Sequence, residues 1–206
     1  MTFARPVLLL LLVAPLLAVV GSCVESQHPL SDGKTSKIDE RLIGTWHLED
    51  DPAGWQVTKS AHTENALELT VTDPAAGRSL LFTTTIKSKG YMSIKDMDKD
   101  ANKKPEAATY CIYQYVFLDN DTVQVRGMDP KVIEKAIGYK TLGGEIKLTK
   151  TKTRPILGIF GKERIVEKRM PVITAAPQAI ARYLEAHADE CYPAEKEATL
   201  IWKRQK

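Results

Sequence analysis

Residues 110–126, YCIYQYVFLDNDTVQVR, carry the clearest local signal of the fold. Two runs rich in β-branched and aromatic residues flank the turn-forming triplet Asp119-Asn120-Asp121, which predicts a β-hairpin. The first run alternates between two faces, an aromatic one with Tyr113, Tyr115 and Phe117 and an aliphatic one with Ile112, Val116 and Leu118. Because both faces are apolar, we expect a central strand, and whichever set points inward would line any cavity.

Eight more strand-like runs surround this hairpin along the chain. They lie at residues 42–49, 55–60, 66–72, 79–87, 91–95, 145–149, 164–173 and 198–204. Turn-forming residues separate many of them, for example Asp51-Pro52-Ala53-Gly54 and Gly143-Gly144. Short strands spaced in this way predict a mainly β domain over residues 38–206, built as an antiparallel barrel or sandwich of about eight to ten strands.

Two segments interrupt the strand pattern and predict short helices. Asp129 followed by Pro130 is typical of a helix start, and the apolar face that follows stops at Gly138. From residues 174–177 to about Asp189, apolar residues again recur at helical spacing. Each helix has one apolar stripe, so we expect both to pack on or cap the sheet.

The N-terminus has the composition of an export signal. Arg5 precedes an uncharged apolar run over residues 7–20, and the small residues Gly21 and Ser22 follow. Val20-Gly21-Ser22-Cys23 resembles the lipobox of bacterial lipoproteins, which implies a signal peptide over residues 1–22 and a lipidated Cys23 at the start of the mature chain. The alternative is an ordinary secretory signal with an incidental cysteine.

The residues after Cys23 bear on where the mature protein lies. Residues 24–37 are polar and contain Pro, Gly and Ser without apolar periodicity, so residues 23–37 are interpreted as the lipidated cysteine and a flexible tether. Val24 is not the aspartate that retains Gram-negative lipoproteins at the inner membrane. Resemblance to those lipoproteins therefore implies a lipid-anchored envelope protein, on the outer membrane facing the periplasm if the source is Gram-negative.

Cys111 and Cys191 are the two cysteines that remain once Cys23 is acylated. In an oxidising compartment an even pair favours a disulfide. The alternative is two unrelated small apolar residues.

The tripeptide Gly44-Thr45-Trp46 at the first strand resembles the opening motif of lipocalins and related barrels. The resemblance implies that Trp46 plugs the barrel floor and that a basic residue of the last strand lies over it; Arg204 is the candidate. The arrangement of residues 110–125, 128–137 and 171–187 is similar to a group of bacterial lipoproteins of unknown function. The second helix and the insertion over residues 150–170 depart from a typical lipocalin.

The insertion over residues 150–170, KTKTRPILGIFGKERIVEKRM, combines basic residues with an apolar tip. One interpretation is a hairpin that reaches the lipid interface, with Lys and Arg against anionic headgroups. The other is a hairpin whose tip packs on its own barrel.

Catalytic and metal-binding patterns are weak. None of the four histidines lies in a recognised catalytic motif. The acidic run from Asp96 to Asn102 has the spacing of a calcium loop, but Ala101 and Ala107 stand where the glycine and the bidentate glutamate are needed. We therefore predict no enzyme, no metal and no cofactor, and the net charge of +3 argues against nucleic acid as a partner.

Two functions fit this fold class. The first is a lipid-anchored carrier that holds a small apolar or amphipathic ligand in the barrel, contacted by Tyr113, Tyr115 and Phe117. The second is a non-enzymatic interaction or scaffold module of the cell envelope, in which the barrel fills itself with its own side chains. A cavity lined by the aromatic strand would favour the carrier.

Overall fold

The computed structural model describes residues 24–49, 51–71, 77–97, 109–153, 164–194 and 199–205. The predictions for the signal peptide, for Cys23, for the tip of the basic insertion at residues 154–163 and for most of the calcium-like run, residues 98–102, lie outside the described residues.

The described chain forms eleven strands and two α-helices. The strands are β1 (Glu25–Ser26), β2 (Gly44–Leu48), β3 (Asp51–Lys59), β4 (Leu67–Val71), β5 (Arg78–Ile86), β6 (Lys89–Asp96), β7 (Tyr110–Asp119), β8 (Thr122–Gly127), β9 (Gly144–Thr153), β10 (Arg164–Ile173) and β11 (Thr199–Arg204). The helices are α1 (Pro130–Gly138) and α2 (Pro177–Cys191).

Eight of the strands close into an antiparallel barrel. Their order is β6-β5-β4-β3-β2-β11-β8-β7, and pairing of β6 with β7 completes the ring. Closure removes the exposed edges that an open sheet of this size would present. The structure therefore confirms the mainly β fold class, the lipocalin-like closed barrel and the two short helices.

Both strands of the hairpin at residues 110–126 have a strand neighbour on each side, β7 between β6 and β8 and β8 between β7 and β11, as the two apolar faces predict. Tyr115 is the register partner of Val125 on β8 and of Gly90 on β6. At the turn, the Asp121 amide donates to Asp119 Oδ1 over 2.7 Å. An aspartate that bonds the backbone two residues ahead is the turn chemistry that the sequence indicates.

Three strands extend the sheet beyond the barrel wall. Strand β1 pairs antiparallel with β7, where Glu25 is the partner of Cys111, and parallel with β10, where Glu25 is the partner of Val172. Strands β10 and β9 then form a long antiparallel hairpin of ten residue pairs. The sequence predicts β9 and β10 but gives no sign of β1.

The interpretation of residues 24–37 as a flexible tether is wrong. Val24 is 2% exposed, and the hydroxyls of the buried Ser31 and Ser36 donate to the Thr83 carbonyl over 3.2 Å and 2.9 Å. The two serine hydroxyls and the two residues of β1 hold this segment on the barrel. The segment is therefore held in place by partners that are distant in the sequence. A polar segment without periodicity gives no local signal of such pairing.

Both helices have the ends that the sequence predicts. The Asp129 side chain accepts from the Lys131 amide over 2.9 Å, Pro130 occupies the first turn of α1, and Gly138 is its last residue. Helix α2 turns Ile180 and Leu184 inward. In the described part of the chain, no helix is long and apolar enough to cross a membrane.

The described residues form two large hydrophobic cores and a smaller cluster of Ala66, Leu80 and Phe82. The inner core lies inside the barrel and takes side chains from all eight barrel strands, whereas the outer core lies between the β6–β7 wall, β1, β10 and the helices. The buried members of the outer core are Val24, Tyr91, Ile112, Met128, Ile133, Ala136, Leu142, Ile173, Ile180, Leu184, Cys191 and Tyr192.

The predicted disulfide between Cys111 and Cys191 is not formed. Cys191 is a buried free thiol at the end of α2, packed in the outer core. By alternation along β7, Cys111 shares the face of Tyr113, which points into the barrel. The two cysteines therefore lie on opposite sides of the barrel wall, and spacing along the sequence could not reveal this.

Candidate functional site

One end of the barrel is closed by the chain that leads into β2. A short 3₁₀ turn at Glu40–Leu42 places the fully buried Leu42 beneath the ring of strands. Trp46 is also fully buried, and its Nε1 donates to the Leu42 carbonyl over 2.8 Å. The indole thus plugs the floor with its one polar group satisfied.

Arg204 lies over Trp46, where the lipocalin-like motif implies a basic residue. Its Cζ is 4.3 Å from the centroid of the Trp46 ring, a cation–π arrangement. Its Nη1 donates to the Ile43 carbonyl over 2.8 Å, and its Nη2 donates to the Arg41 carbonyl over 2.7 Å. The guanidinium joins the last strand, β11, to the chain that leads into β2.

Gly44 is needed for this contact. Its φ is +143°, and a Cβ at this position would lie 2.4 Å from Arg204 Nη1. A side chain would clash with the guanidinium in addition to straining the backbone. Gly44, Trp46 and Arg204 therefore act together as a structural floor.

A second group of side chains at the same end was missed by sequence reasoning. Arg41 forms an ion pair with Asp39 over 2.7 Å, and Tyr115 Oη donates to Asp39 Oδ2 over 3.0 Å. The Arg41 Cζ also lies 4.3 Å from the Phe117 ring centroid. The Asp-x-Arg sequence just before the first strand is a weak signal for the ion pair, but nothing local links it to β7.

The pKa shifts of Asp39, Tyr115 and Tyr113 favour a structural role for these side chains. Burial would raise the pKa of Asp39, but hydrogen bonds from Arg41 and Tyr115 hold it below its ordinary value. The pKa of Tyr115 is raised, mainly by burial and also by the Asp39 charge. Burial raises the pKa of Tyr113 to about 12. At neutral pH the carboxylate is ionised and both phenols are protonated, which gives no acid–base pair.

A cavity of about 430 Å³ adjoins the closed end and is lined by Arg41, Phe117, Asp119, Asn120 and Arg204. Arg204 already donates to two carbonyls and lies 3.5 Å from Asp121, so its charge is engaged within the chain. Arg41 is likewise paired with Asp39. This cavity therefore has little free charge with which to hold a ligand.

The aromatic face of β7 does point into the barrel, one of the two arrangements left open by the sequence. Tyr113, Tyr115 and Phe117 all belong to the inner core. The same core holds three tryptophans: Trp202 packs 5.0 Å from Trp55 and 6.3 Å from Trp46, centroid to centroid. In the described part of the barrel, eleven inner-core side chains are each at most 5% exposed, namely Leu42, Trp46, Trp55, Val57, Leu67, Leu81, Met92, Tyr115, Val123, Val125 and Trp202.

The larger concavity lies outside the barrel. We call it the basic groove: a volume of about 500 Å³ between α1 and the β9–β10 hairpin, lined by Lys131, Glu134, Lys135, Ile137, Gly138, Tyr139, Ile146 and Arg169. Arg169 pairs with Glu134 over 2.6 Å. Tyr139 is 79% exposed, unusual for so large an apolar ring. The groove therefore offers positive charge beside an accessible aromatic surface.

Within the described ranges, no group of three or more His, Cys, Asp or Glu side chains is placed to hold a metal ion. The imidazole of His187 stacks on Tyr183 at a centroid distance of 4.7 Å, and His47 Nδ1 lies 2.8 Å from the Leu48 carbonyl. Each of these two histidines has a local structural partner.

Comparisons with protein-family models, with curated proteins and with solved structures find no match to this chain.

Proposed function

We propose that this protein is a lipid-anchored, non-enzymatic interaction module of the cell envelope, built on a lipocalin-like barrel whose interior is filled. The signal-like N-terminus and the lipobox ending in Cys23 support export and acylation. A diacylglyceryl group together with an N-acyl chain would anchor the protein stably, since a single chain gives only marginal membrane binding.

The filled inner core is the observation that carries this proposal over the carrier. A small-molecule site needs a cavity of roughly 300 to 1,000 Å³ that encloses most of the ligand. Inside the barrel the described side chains pack against one another. Tyr115, a predicted ligand contact, instead donates its hydroxyl to Asp39 and packs its ring against Gly90. The two concavities described above lie at the closed end and on the outer surface.

The basic groove is the surface through which such a module would contact a partner. Lys131, Lys135 and the exposed Tyr139 provide positive charge and an aromatic anchor at its rim. Aromatic and basic residues are enriched where proteins bind one another. Charge complementarity favours an acidic protein partner.

Native mass spectrometry of the protein, extracted gently from the membranes of its host, tests the proposal. We expect the mass of residues 23–206 plus the acyl groups, with no small molecule retained. A retained apolar ligand would contradict the filled barrel and restore the carrier.

The same spectrum tests the anchor. Cys23 carrying no acyl group would contradict it. So would a disulfide between Cys23 and Cys111, a pairing worth examining because Glu25, two residues after Cys23, is the register partner of Cys111. One sulfur atom cannot hold both a thioether and a disulfide.

A Cys23→Ser variant gives the matched control. We expect the acylated protein to stay with membranes in high salt and the variant to be released, because salt screens charge attraction but leaves an inserted acyl chain in place.

A further inference from the structure

The β9–β10 hairpin continues well past the strand that joins it to the barrel. Strand β1 reaches only Val172 and Ile173 of β10. From Lys147 paired with Met170 to Thr153 paired with Arg164, seven residue pairs of β9 and β10 have strand partners only in each other within the described chain. We call residues 147–153 and 164–170 the arm; at about 3.3 Å per residue it is roughly 23 Å long.

The net positive charge of the molecule is concentrated in the arm. Its fourteen residues include six basic ones, Lys147, Lys150, Lys152, Arg164, Lys168 and Arg169, and one acidic one, Glu167. The arm is thus +5 while the whole chain is +3, so the remainder is net negative. Such a polarised molecule will orient toward an anionic surface.

The direction of β1 places the arm relative to the N-terminus. Because β1 runs parallel to β10, with Glu25 opposite Val172 and Ser26 opposite Ile173, the chain comes into β1 from the side on which the arm extends. Because Val24 is packed in the outer core, the start of β1 is held against the barrel. An anchor at the preceding residue would hold the arm next to the bilayer.

An isolated two-stranded hairpin has marginal stability in water. The arm meets α1 at its base, where Arg169 pairs with Glu134. On β9, the Leu148 side chain is 61% exposed. A two-stranded arm with a net positive charge and an exposed leucine is typical of a surface that an anionic partner covers.

We propose that the arm binds the surface of an anionic phospholipid bilayer and fixes the orientation of the barrel on it. Basic side chains near such a surface each add to the attraction, and together with an acyl anchor they provide the second of two membrane signals. This inference deepens the proposed lipid anchoring and relies on it for the orientation.

The test uses residues 23–206 with Cys23→Ser, which keep both cores and carry no acyl chain. Co-sedimentation is measured with vesicles of phosphatidylethanolamine containing one quarter phosphatidylglycerol and with vesicles of phosphatidylcholine. We expect binding to the anionic vesicles at least about tenfold tighter than to the neutral ones, and its release in about 0.5 M salt.

Two triple variants then locate the binding surface. Reversing charge at Lys147, Lys150 and Lys152 to Glu should weaken binding to the anionic vesicles by at least about tenfold. Reversing Lys34, Lys37 and Lys59 to Glu changes the net charge equally on another part of the surface and should leave binding within about twofold. Circular dichroism and thermal unfolding establish that both variants fold.

The proposal is overturned if the parent chain shows no preference for anionic vesicles, or if the two triple variants lose binding equally. The acyl mass at Cys23 is measured separately on the native protein. Failure of the anchor and failure of the arm are therefore distinct results.

Discussion

The two cores of this protein are built in different ways. The inner core draws on alternate residues of the eight barrel strands, so period-two patterning in the sequence groups the residues of each strand that share a face. The outer core joins Val24, Tyr91, Ile133, Leu184 and Tyr192, which are spread over most of the chain. Alternation along a strand shows which of its residues can belong to the same core. It gives no information about a core that forms where segments distant in the sequence meet.

The largest effect is expected from the inner core. Trp46→Ala removes a fully buried indole, so the free energy of unfolding should fall by about 3 to 5 kcal/mol. Urea denaturation followed by circular dichroism measures it. Tyr139→Ala, at an exposed ring, is the control and should change stability little. Equal effects would mean that the inner core is loosely packed.

The floor contact should matter next. Arg204→Ala loses the cation–π contact with Trp46 and two hydrogen bonds to carbonyls, and we expect a loss of about 2 to 3 kcal/mol. Arg204→Lys keeps the positive charge but lacks the paired N–H donors of the guanidinium, so it should recover only part of the lost unfolding free energy. Full recovery by lysine, measured by the same denaturation, would contradict the geometry.

The outer core can be tested at its N-terminal edge. In the chain with Cys23→Ser, Val24→Asp puts a charge into a buried site and should destabilise the fold by about 2 kcal/mol. Gln27→Asp, at an exposed position of the same segment, is the matched control. If both variants unfold like the parent chain, residues 24–37 are a tether after all.

The Asp39 network should give a smaller effect that depends on pH. Because the folded state lowers the pKa of Asp39, its contribution is present above the ordinary aspartate pKa and is lost as the pH falls through the folded value. Asp39→Asn should therefore lower stability at neutral pH by about 1 kcal/mol, with the difference shrinking toward pH 3. Thermal unfolding across this range measures it. Asp189→Asn, at a 94% exposed side chain that pairs with Lys89, is the control and should change stability at neutral pH little.

The smallest effect concerns Cys191. Burial raises its pKa to about 12, so the thiol stays protonated and shielded at neutral pH. Alkylation under native conditions should leave Cys191 unmodified, and alkylation after unfolding should label it without reduction. Peptide mapping by mass spectrometry reads both states. A peptide linking Cys111 to Cys191 would contradict the separation of the two cores.

Much of the barrel was predictable because its signals are local. All ten predicted strands are present, and α1 has its N-cap at Asp129 and its last residue at Gly138, as turn and helix chemistry predict. The floor residues Gly44, Trp46 and Arg204 were found through their resemblance to a known motif. Asp39 was not singled out, because its partner Tyr115 lies 76 residues away and no local pattern joins them.

The strands, the turns, the helix ends and the apolar faces of the strands could be predicted from the residues alone, since they depend on the spacing of neighbouring residues and on backbone chemistry. Three features depended on long-range packing: the aromatic face of β7 points into the barrel, β1 pairs the segment after Val24 with the sheet, and Cys111 and Cys191 lie on opposite sides of the wall. Those outcomes depend on which distant surfaces meet, and in a closed barrel the meeting of its two end strands fixes what is inside and what is outside.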